Sequence, residues 1–136
     1  MSDSFRLASR LEADSHFLVD WTLCQVRLMD DARFPWLILV PRRTGLEEWT
    51  ELEVEDSAQL AKEIGRAGQA LARRFGPTKL NVGALGNIVR QMHVHVIARF
   101  EADVAWPAPV WGQGVRIPYE LAKKESLIAD LLPLLR

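Results

Sequence analysis

The chain has 136 residues, 49% of them hydrophobic and 26% charged, and its formal net charge is −1. This predicts one globular domain with a proper core, and it gives no electrostatic reason to expect binding to nucleic acid or an acidic membrane surface. A single cysteine, Cys24, excludes an intrachain disulfide and a cysteine-rich metal site, and we expect it in the core. Because no apolar run reaches about 18 residues and the N-terminus is charged, we expect no membrane span and a cytoplasmic protein.

The first 41 residues predict a short helix and a series of strands. Leu7 and Leu11 stand at helical spacing, which predicts an amphipathic helix over residues 5–13. Strands are predicted at residues 17–19, 24–28 and 36–40. The last of these is an unbroken apolar run closed by Pro41, which is typical of a central strand with both faces covered.

The strongest helix prediction covers residues 56–75, where Asp56 or Ser57 would cap the start. Its apolar stripe at 3.6-residue spacing is Leu60, Ile64, Ala67, Leu71 and Phe75. A strand at residues 79–82 follows, and a second helix is predicted over residues 119–132, with Pro133 ending or bending it. Helices and strands with short connections predict an α+β domain.

Residues 80–100 carry the candidate chemistry, because a glycine-rich loop there leads into a strand with two of the three histidines. Since a strand points successive side chains to opposite faces, we expect Gln91, His93 and His95 to share one face. Successive positions on that face would be about 6.6 Å apart, at about 3.3 Å per residue. The intervening apolar residues would face the core.

Three interpretations of His93 and His95 fit the residues themselves. A neutral imidazole can attack a phosphoryl group while a second donates to the phosphate or the leaving group, with Asn81, Asn87 and the backbone N–H groups of the loop binding the phosphate. His-x-His can also chelate zinc, iron or manganese, although no further ligand follows at a suitable spacing. Alternatively, both histidines lie on a solvated sheet face and have no role.

Residues 91–97, QMHVHVI, resemble the signature of the histidine triad (HIT) family, His-φ-His-φ-His-φ-φ with φ apolar, at six of seven positions. The departure is Gln91, where the first histidine would stand. Asn81 is similar to an upstream asparagine of the family, Gly86-Asn87 to its Gly-polar pair, and residues 37–43 to its strand that ends in Val-Pro and basic residues.

The resemblance covers roughly residues 17–112 and implies a HIT-like domain, with an antiparallel sheet of about five strands, one long helix and a C-terminal helix. It also implies a homodimer that needs no cofactor or metal and acts on purine nucleotides. The implied reaction is hydrolysis or transfer at the α-phosphate of nucleoside phosphoramidates or dinucleoside polyphosphates. His93 would be the nucleophile that forms a nucleotidyl-histidine intermediate, and His95 would contact the phosphate or the leaving group.

The resemblance also implies the substrate-binding residues, which are Asn81, Gly86 and Asn87 at the phosphate and ribose, Asp30 at the ribose, and Trp111 in the tail at the leaving group or a dimer contact. Gln91, in the place of the first histidine, is the third catalytic residue that the resemblance implies; it can orient a neighbour but cannot titrate, so it cannot relay a proton. Trp36 stands where many members have a histidine, which makes the site less polar. A purine-nucleotide-binding module without turnover is therefore a second hypothesis, and a metal-dependent enzyme that uses His93 and His95 as ligands is a third.

Overall fold

The computed structural model describes residues 4–136, which form one five-stranded antiparallel sheet and three α-helices. The strands are β1 (Ser15–Asp20), β2 (Cys24–Met29), β3 (Trp36–Pro41), β4 (Lys79–Gly83) and β5 (Val94–Arg99), and the helices are α1 (Ser9–Asp14), α2 (Val54–Phe75) and α3 (Leu121–Leu135). The strand order across the sheet is β1-β2-β3-β5-β4. The predicted α+β fold, with one long helix and a C-terminal helix, is confirmed.

β3 lies in the middle of the sheet because its residues are apolar on both faces. Every residue of this strand is buried, and it pairs with β2 on one side and β5 on the other. Leu37 and Leu39 face the core that α2 and α3 cover, whereas Trp36 and Ile38 face a second apolar cluster on the opposite side of the sheet. The prediction of a central strand covered on both faces is confirmed.

α2 covers one face of the sheet with the predicted stripe, in which Leu60, Ala67 and Leu71 are buried. The helix begins at Val54, so Asp56 lies inside the first turn instead of capping it, and its carboxylate pairs with Arg43 at 2.6 Å. The buried Glu63 accepts the backbone N–H groups of Leu23 and Cys24, at 2.9 and 2.8 Å. This carboxylate ties the helix to the start of β2.

The opposite face of the sheet is covered by chain segments rather than by long helices. Phe5, Leu7 and Ala8 pack there, together with Leu11 from α1. The predicted helix over residues 5–13 starts only at Ser9, because residues 5–8 have no regular secondary structure and lie against the sheet. This face also carries both histidines of the candidate site.

α3 continues through Pro133 to Leu135, so the helix does not end at this proline. A proline removes one hydrogen bond from a helix interior, but here burial of the last turn outweighs that loss. Leu131 and Leu135 are fully buried, and the indole N–H of Trp21 donates to the carbonyl of Leu135 at 2.7 Å. Among residues 4–136, no helix combines the length and apolar character needed to cross a membrane.

Candidate active site

His93 and His95 lie side by side at the start of β5. Strand pairing begins at Val94, so His93 immediately precedes the strand, and His95 pairs with Ile38 of β3 and Gly83 of β4. The two imidazole centroids are 4.9 Å apart, and each residue is only 7% exposed. The expected grouping of the two histidines on one face is therefore present, although the strand is shorter at its start than the alternating pattern predicts.

The proton on His93 is located by the backbone. Its Nδ1 lies 2.7 Å from the carbonyl oxygen of Gln91. A carbonyl oxygen can only accept a hydrogen bond, so Nδ1 carries the proton and the neutral ring has its lone pair on Nε2. The free lone pair on Nε2 makes His93 a possible nucleophile or base. The group that fixes this tautomer is a backbone carbonyl, which any residue at position 91 would supply.

His95 is held in the opposite tautomer by Trp36. The indole Nε1–H of Trp36 donates to Nδ1 of His95 at 2.9 Å, and both residues are buried. An indole nitrogen can only donate, so Nδ1 of His95 is unprotonated and the neutral ring carries its proton on Nε2. The site therefore presents a ring nitrogen lone pair on His93 beside a ring N–H on His95.

Burial keeps both rings neutral. Desolvation lowers the pKa of His93 below its usual value of 6.5, and the hydrogen bond to the Gln91 carbonyl offsets this only in part. Desolvation, with the neighbouring His93 as a smaller cause, lowers the pKa of His95 to about 3. Near pH 7 both imidazoles are uncharged, which is the state that nucleophilic attack by His93 requires.

Both histidines line a cavity of about 430 Å³, which is large enough for a small-molecule ligand. Its apolar wall is formed by Leu11, Met29, Trp36, Ile38, Val110 and Trp111. Three arginines and two aspartates line it as well, namely Arg10, Arg33, Arg116, Asp14 and Asp31. Residues 85–89 of the glycine-rich loop form a further side, which includes the predicted Gly86 and Asn87. The cavity therefore combines an apolar wall, ion-paired arginine and aspartate side chains and a polar loop beside His93.

Trp111 closes this cavity over His95. Their ring centroids are 5.4 Å apart in an edge-on arrangement, and the buried Nε1 of Trp111 has no hydrogen-bond partner among residues 4–136. A Cβ at Gly83 would lie 2.8 Å from the Trp111 ring, so a side chain there would displace the indole. The sequence indicated Trp111 but not Gly83, because no sequence pattern connects the last residue of β4 with a tryptophan of the tail.

A second cavity, of about 280 Å³, borders His93 on another side. It is lined by Glu47, Glu48, Trp49, Ala84, Leu85, Gly86, Met92 and His93. Leu85, Gly86 and His93 belong to both cavities. His93 and the loop thus stand between two recesses, of which the larger is the more apolar.

Asn81 is in contact with a buried arginine rather than with the cavity. Its side-chain oxygen accepts a hydrogen bond of 2.8 Å from Arg99, which is 1% exposed. Arg99 also donates to Asp103 and to the carbonyl of Ala108, and it holds the pKa of the Asp103 carboxyl at about 2. Asn81 is therefore part of the network that fixes the segment after β5, and it does not line either cavity described above.

Asp30 and the side chain of Gln91 also lie outside the cavity walls. The Asp30 carboxylate accepts the backbone N–H of Tyr119 at 2.9 Å and lies near Arg116, so it joins the C-terminal segment to the sheet. The Gln91 amide contacts the backbone of residues 6 and 8 instead of either imidazole. The contacts of Asp30 and Gln91 could not be predicted, because each side chain binds backbone that is more than 80 residues away in sequence.

A metal site at His93 and His95 would need further ligands close to these two side chains. Within residues 4–136, no three or more histidine, cysteine, aspartate or glutamate side chains converge as a metal site would require. In addition, Nδ1 of each active-site imidazole already has a protein partner. The structure thus adds no third ligand to the His-x-His pair.

Comparisons with known proteins agree with the geometry. A family model described as HIT domain matches residues 10–102. A histidine triad protein from Sinorhizobium meliloti 1021 is 46% identical, with 96% of each chain covered and a TM-score of 0.93. One from Bradyrhizobium japonicum is 40% identical over 98% of this chain and 100% of that chain, with a TM-score of 0.96. One from Marinobacter aquaeolei VT8 is 45% identical over 96% of each chain, with a TM-score of 0.94. No curated protein matches this chain in sequence.

Proposed function

Because the chain belongs to the histidine triad (HIT) family, we propose that it is a nucleotide hydrolase or nucleotidyl transferase with His93 as its nucleophile. Its substrates are purine nucleoside phosphoramidates or dinucleoside polyphosphates, and the reaction occurs at the α-phosphate. The observation that carries this proposal is the pair of opposite tautomers on His93 and His95. Together they offer a nucleophile and a hydrogen-bond donor to one phosphoryl group.

In the first step, Nε2 of His93 attacks the α-phosphorus. A nitrogen–phosphorus bond forms, the bond to the leaving group breaks, and the leaving group takes the bonding electron pair and, where it is an amine, a proton from solvent. The His93 ring becomes positively charged, so its Nδ1–H bond to the Gln91 carbonyl strengthens. That carbonyl stabilises the intermediate without taking part in the bond changes.

His95 acts as a hydrogen-bond donor and keeps its proton. With Trp36 donating to Nδ1, loss of the Nε2 proton would leave an imidazolate anion in a buried site. An unpaired buried charge is strongly unfavourable. The Nε2–H therefore stabilises the negative charge on a phosphate oxygen as the transition state forms.

In the second step, water attacks the phosphorus of the nucleotidyl-His93 intermediate. The nitrogen–phosphorus bond breaks, its electron pair returns to Nε2, and the proton of the attacking water passes to solvent. Transfer follows the same path when another nucleophile takes the place of water. The free enzyme is regenerated in its starting tautomer because the Gln91 carbonyl has kept the proton on Nδ1 throughout.

The nucleotide binds in the larger cavity. The aromatic and aliphatic wall suits the flat apolar faces of a purine. Gly86 and Asn87 lie next to His93 in the wall and are the candidates for contacts to the phosphate. Gly86 has a φ of +70°, so a glycine is needed for the turn of this loop.

A binding module without turnover is the second candidate function. It is favoured by two positions, Gln91 and Trp36, that depart from the family pattern with side chains that do not titrate. This candidate predicts binding of a purine monophosphate and no hydrolysis of either substrate class. The tautomer pair favours the enzyme over the module, because pure binding needs no free Nε2 on a buried His93.

The assay that separates the two candidates offers an adenosine phosphoramidate and a dinucleoside polyphosphate to the wild type and to His93→Gln. The matched control is His16→Gln, since His16 is a histidine outside both cavity walls. We expect turnover by the wild type and the control and none by His93→Gln. Turnover that survives in His93→Gln rules out His93 as the nucleophile, and binding without turnover by the wild type selects the binding module.

We also propose that the protein is a homodimer formed along β4. This strand is at the edge of the sheet, with one side unpaired among residues 4–136, and its Val82 is 52% exposed. An open edge with an apolar side chain is a surface that a second copy of the chain can cover. Sedimentation velocity tests this: we expect a dimer for the wild type and a monomer for Val82→Asp, and a monomeric wild type would contradict it.

A further inference from the structure

The side chain of Gln91 joins two parts of the chain that are far apart in sequence. Its Oε1 accepts the backbone N–H of Ala8 at 2.8 Å, and its Nε2 donates to the backbone carbonyl of Arg6 at 2.9 Å. One amide thus satisfies a donor and an acceptor on the same stretch of backbone, as a neighbouring strand would. We call these two hydrogen bonds the Gln91 clamp.

The clamped segment leads directly into a wall of the larger cavity. Phe5, Leu7 and Ala8 pack on the apolar cluster that contains Trp36, and α1 begins at the next residue, Ser9. Three residues of α1 line the cavity, namely Arg10, Leu11 and Asp14. Leu11 is 4% exposed, so this wall is packed onto the sheet.

Gln91 itself is absent from the walls of both cavities described for residues 4–136. Each polar end of its amide has a backbone partner, at Ala8 and Arg6, and neither end is hydrogen-bonded to an imidazole. Its contribution to the site through that side chain is therefore indirect. The side chain of Gln91, which replaces the first histidine of the motif, therefore binds the N-terminal segment and not the neighbouring imidazoles.

We propose that Gln91 is a positioning residue for nucleotide binding, because its clamp on residues 6 and 8 holds α1 in place as a wall of the larger cavity. This inference rests on the proposed function, since it assumes that the larger cavity receives the nucleotide. Loss of the clamp loosens the wall and weakens binding of the substrate and of the transition state equally. KM and Kd then rise while kcat is nearly unchanged, whereas a residue acting on the reacting atoms would change kcat.

Two substitutions remove the clamp from opposite sides. Gln91→Ala removes the amide and keeps the carbonyl that orients His93. Ala8→Pro removes the N–H at a position whose φ of −56° proline accepts, and it retains the carbonyl of residue 8 that accepts the N–H of Glu12. Arg6→Ala is the matched control: it removes an exposed side chain and leaves the clamped carbonyl in place.

The experiment measures Kd for adenosine monophosphate by calorimetry, kcat and KM for the phosphoramidate, and deuterium exchange at the backbone N–H of residue 8 where it is present. We expect Kd to rise about tenfold in Gln91→Ala and in Ala8→Pro, which corresponds to about 1.4 kcal/mol, with kcat within about threefold of the wild type. We also expect faster exchange at Ala8 in Gln91→Ala and no change in Arg6→Ala. The double variant should be no weaker in binding than either single variant, because both remove the same clamp.

Four results overturn the inference. They are unchanged exchange at Ala8 in Gln91→Ala, faster exchange with unchanged Kd, a fall in kcat larger than the rise in Kd, and additive effects in the double variant. Each of these leaves the proposed function standing when the wild type binds and hydrolyses nucleotide. A wild type that binds no purine nucleotide overturns the proposed function itself, and the inference falls with it.

Discussion

The indole N–H of Trp36 donates a hydrogen bond to Nδ1 of His95, with 2.9 Å between the two nitrogens. A tryptophan has one ring donor and no acceptor, so this bond has a single direction. A histidine at position 36, which is common in the family, could either donate or accept this hydrogen bond, depending on its protonation. The substitution therefore holds the neighbouring imidazole in one tautomer, which is the tautomer that donates from Nε2.

Replacing Trp36 by phenylalanine removes this donor and leaves an aromatic ring in the cluster. We expect both His95 tautomers to become populated and kcat to fall on the order of tenfold or more, because the donor to the phosphate is no longer fixed. Two-bond proton–nitrogen spectra of the imidazole rings measure the tautomers directly. In the wild type they should show a proton on Nδ1 of His93 and on Nε2 of His95.

Trp21→Phe is the matched control for Trp36→Phe. Its indole N–H is also in a buried hydrogen bond, but the partner is the carbonyl of Leu135 on the helical face of the sheet. We expect a loss of roughly 1–3 kcal/mol in the free energy of unfolding, with unchanged tautomers and kcat. Equal losses of kcat in both variants, or a single His95 tautomer in Trp36→Phe, would contradict the assigned role.

The pH dependence of activity follows from the lowered pKa of His93. Only the neutral ring can attack phosphorus, and burial keeps it neutral at a pH where an exposed histidine is half protonated. We expect the acidic limb of the kcat/KM profile to lie below about pH 6.5, the value of an unperturbed histidine. The profile should be measured with a phosphoramidate whose own ionisation lies outside this range; an acidic limb at or above 6.5 would be inconsistent with the buried neutral nucleophile.

The pH dependence of stability has a sign set by His95. Its pKa is about 3 in the folded protein, against an ordinary value of 6.5, so the unfolded chain binds a proton that the folded protein does not between these values. The free energy of unfolding should therefore fall as pH is lowered through this window, by up to about 1.4 kcal/mol per pH unit, and His93 adds to the fall. Urea unfolding at about pH 7 and pH 5 measures this slope. His95→Gln should reduce it, and an identical slope in that variant would refute the assignment.

Asn81 and Asn87 should differ in what they affect. Asn81→Ala leaves a donor of the buried Arg99 unpaired, so we expect a loss of roughly 1–3 kcal/mol of stability with little change in KM. Asn87→Ala removes an exposed side chain at the cavity wall, so we expect a raised KM and nearly unchanged stability. Chemical denaturation and steady-state kinetics on both variants test this contrast, and the reverse pattern would return Asn81 to the binding site.

Local sequence patterns predicted the elements whose formation depends on neighbouring residues. The apolar run at residues 36–40 is a buried central strand, and the stripe from Leu60 to Phe75 is the face of α2. Alternation around His93 and His95 placed the two imidazoles together. In each case a period of about 2 or 3.6 residues decides which side chains share a face, so the local sequence is enough to predict that face.

The contacts that complete the site could not be predicted in this way. Trp36 and His95 are 59 positions apart, and Gln91 and Ala8 are 83 apart, so their pairing depends on the strand order and on the path of the N-terminal segment. Asp30 remains a prediction for the ribose, and no local pattern indicates that its carboxylate accepts the backbone N–H of Tyr119 from the returning C-terminal segment. Pro133 was expected to disrupt its helix because proline removes a backbone hydrogen bond, but burial of the last helical turn keeps the helix continuous to Leu135.

The central claim is that Nε2 of His93 forms a covalent bond to the α-phosphorus. Rapid mixing with an adenosine phosphoramidate, quenching in base (where phosphoimidazole bonds survive) and mass spectrometry of the peptides test it most directly. We predict a transient adenylyl group on the peptide that contains His93, at the modified His93 and not at His95, and its absence in His93→Gln. Turnover by the wild type with no such adduct at any time point, or an adduct on His95 instead, would contradict the account.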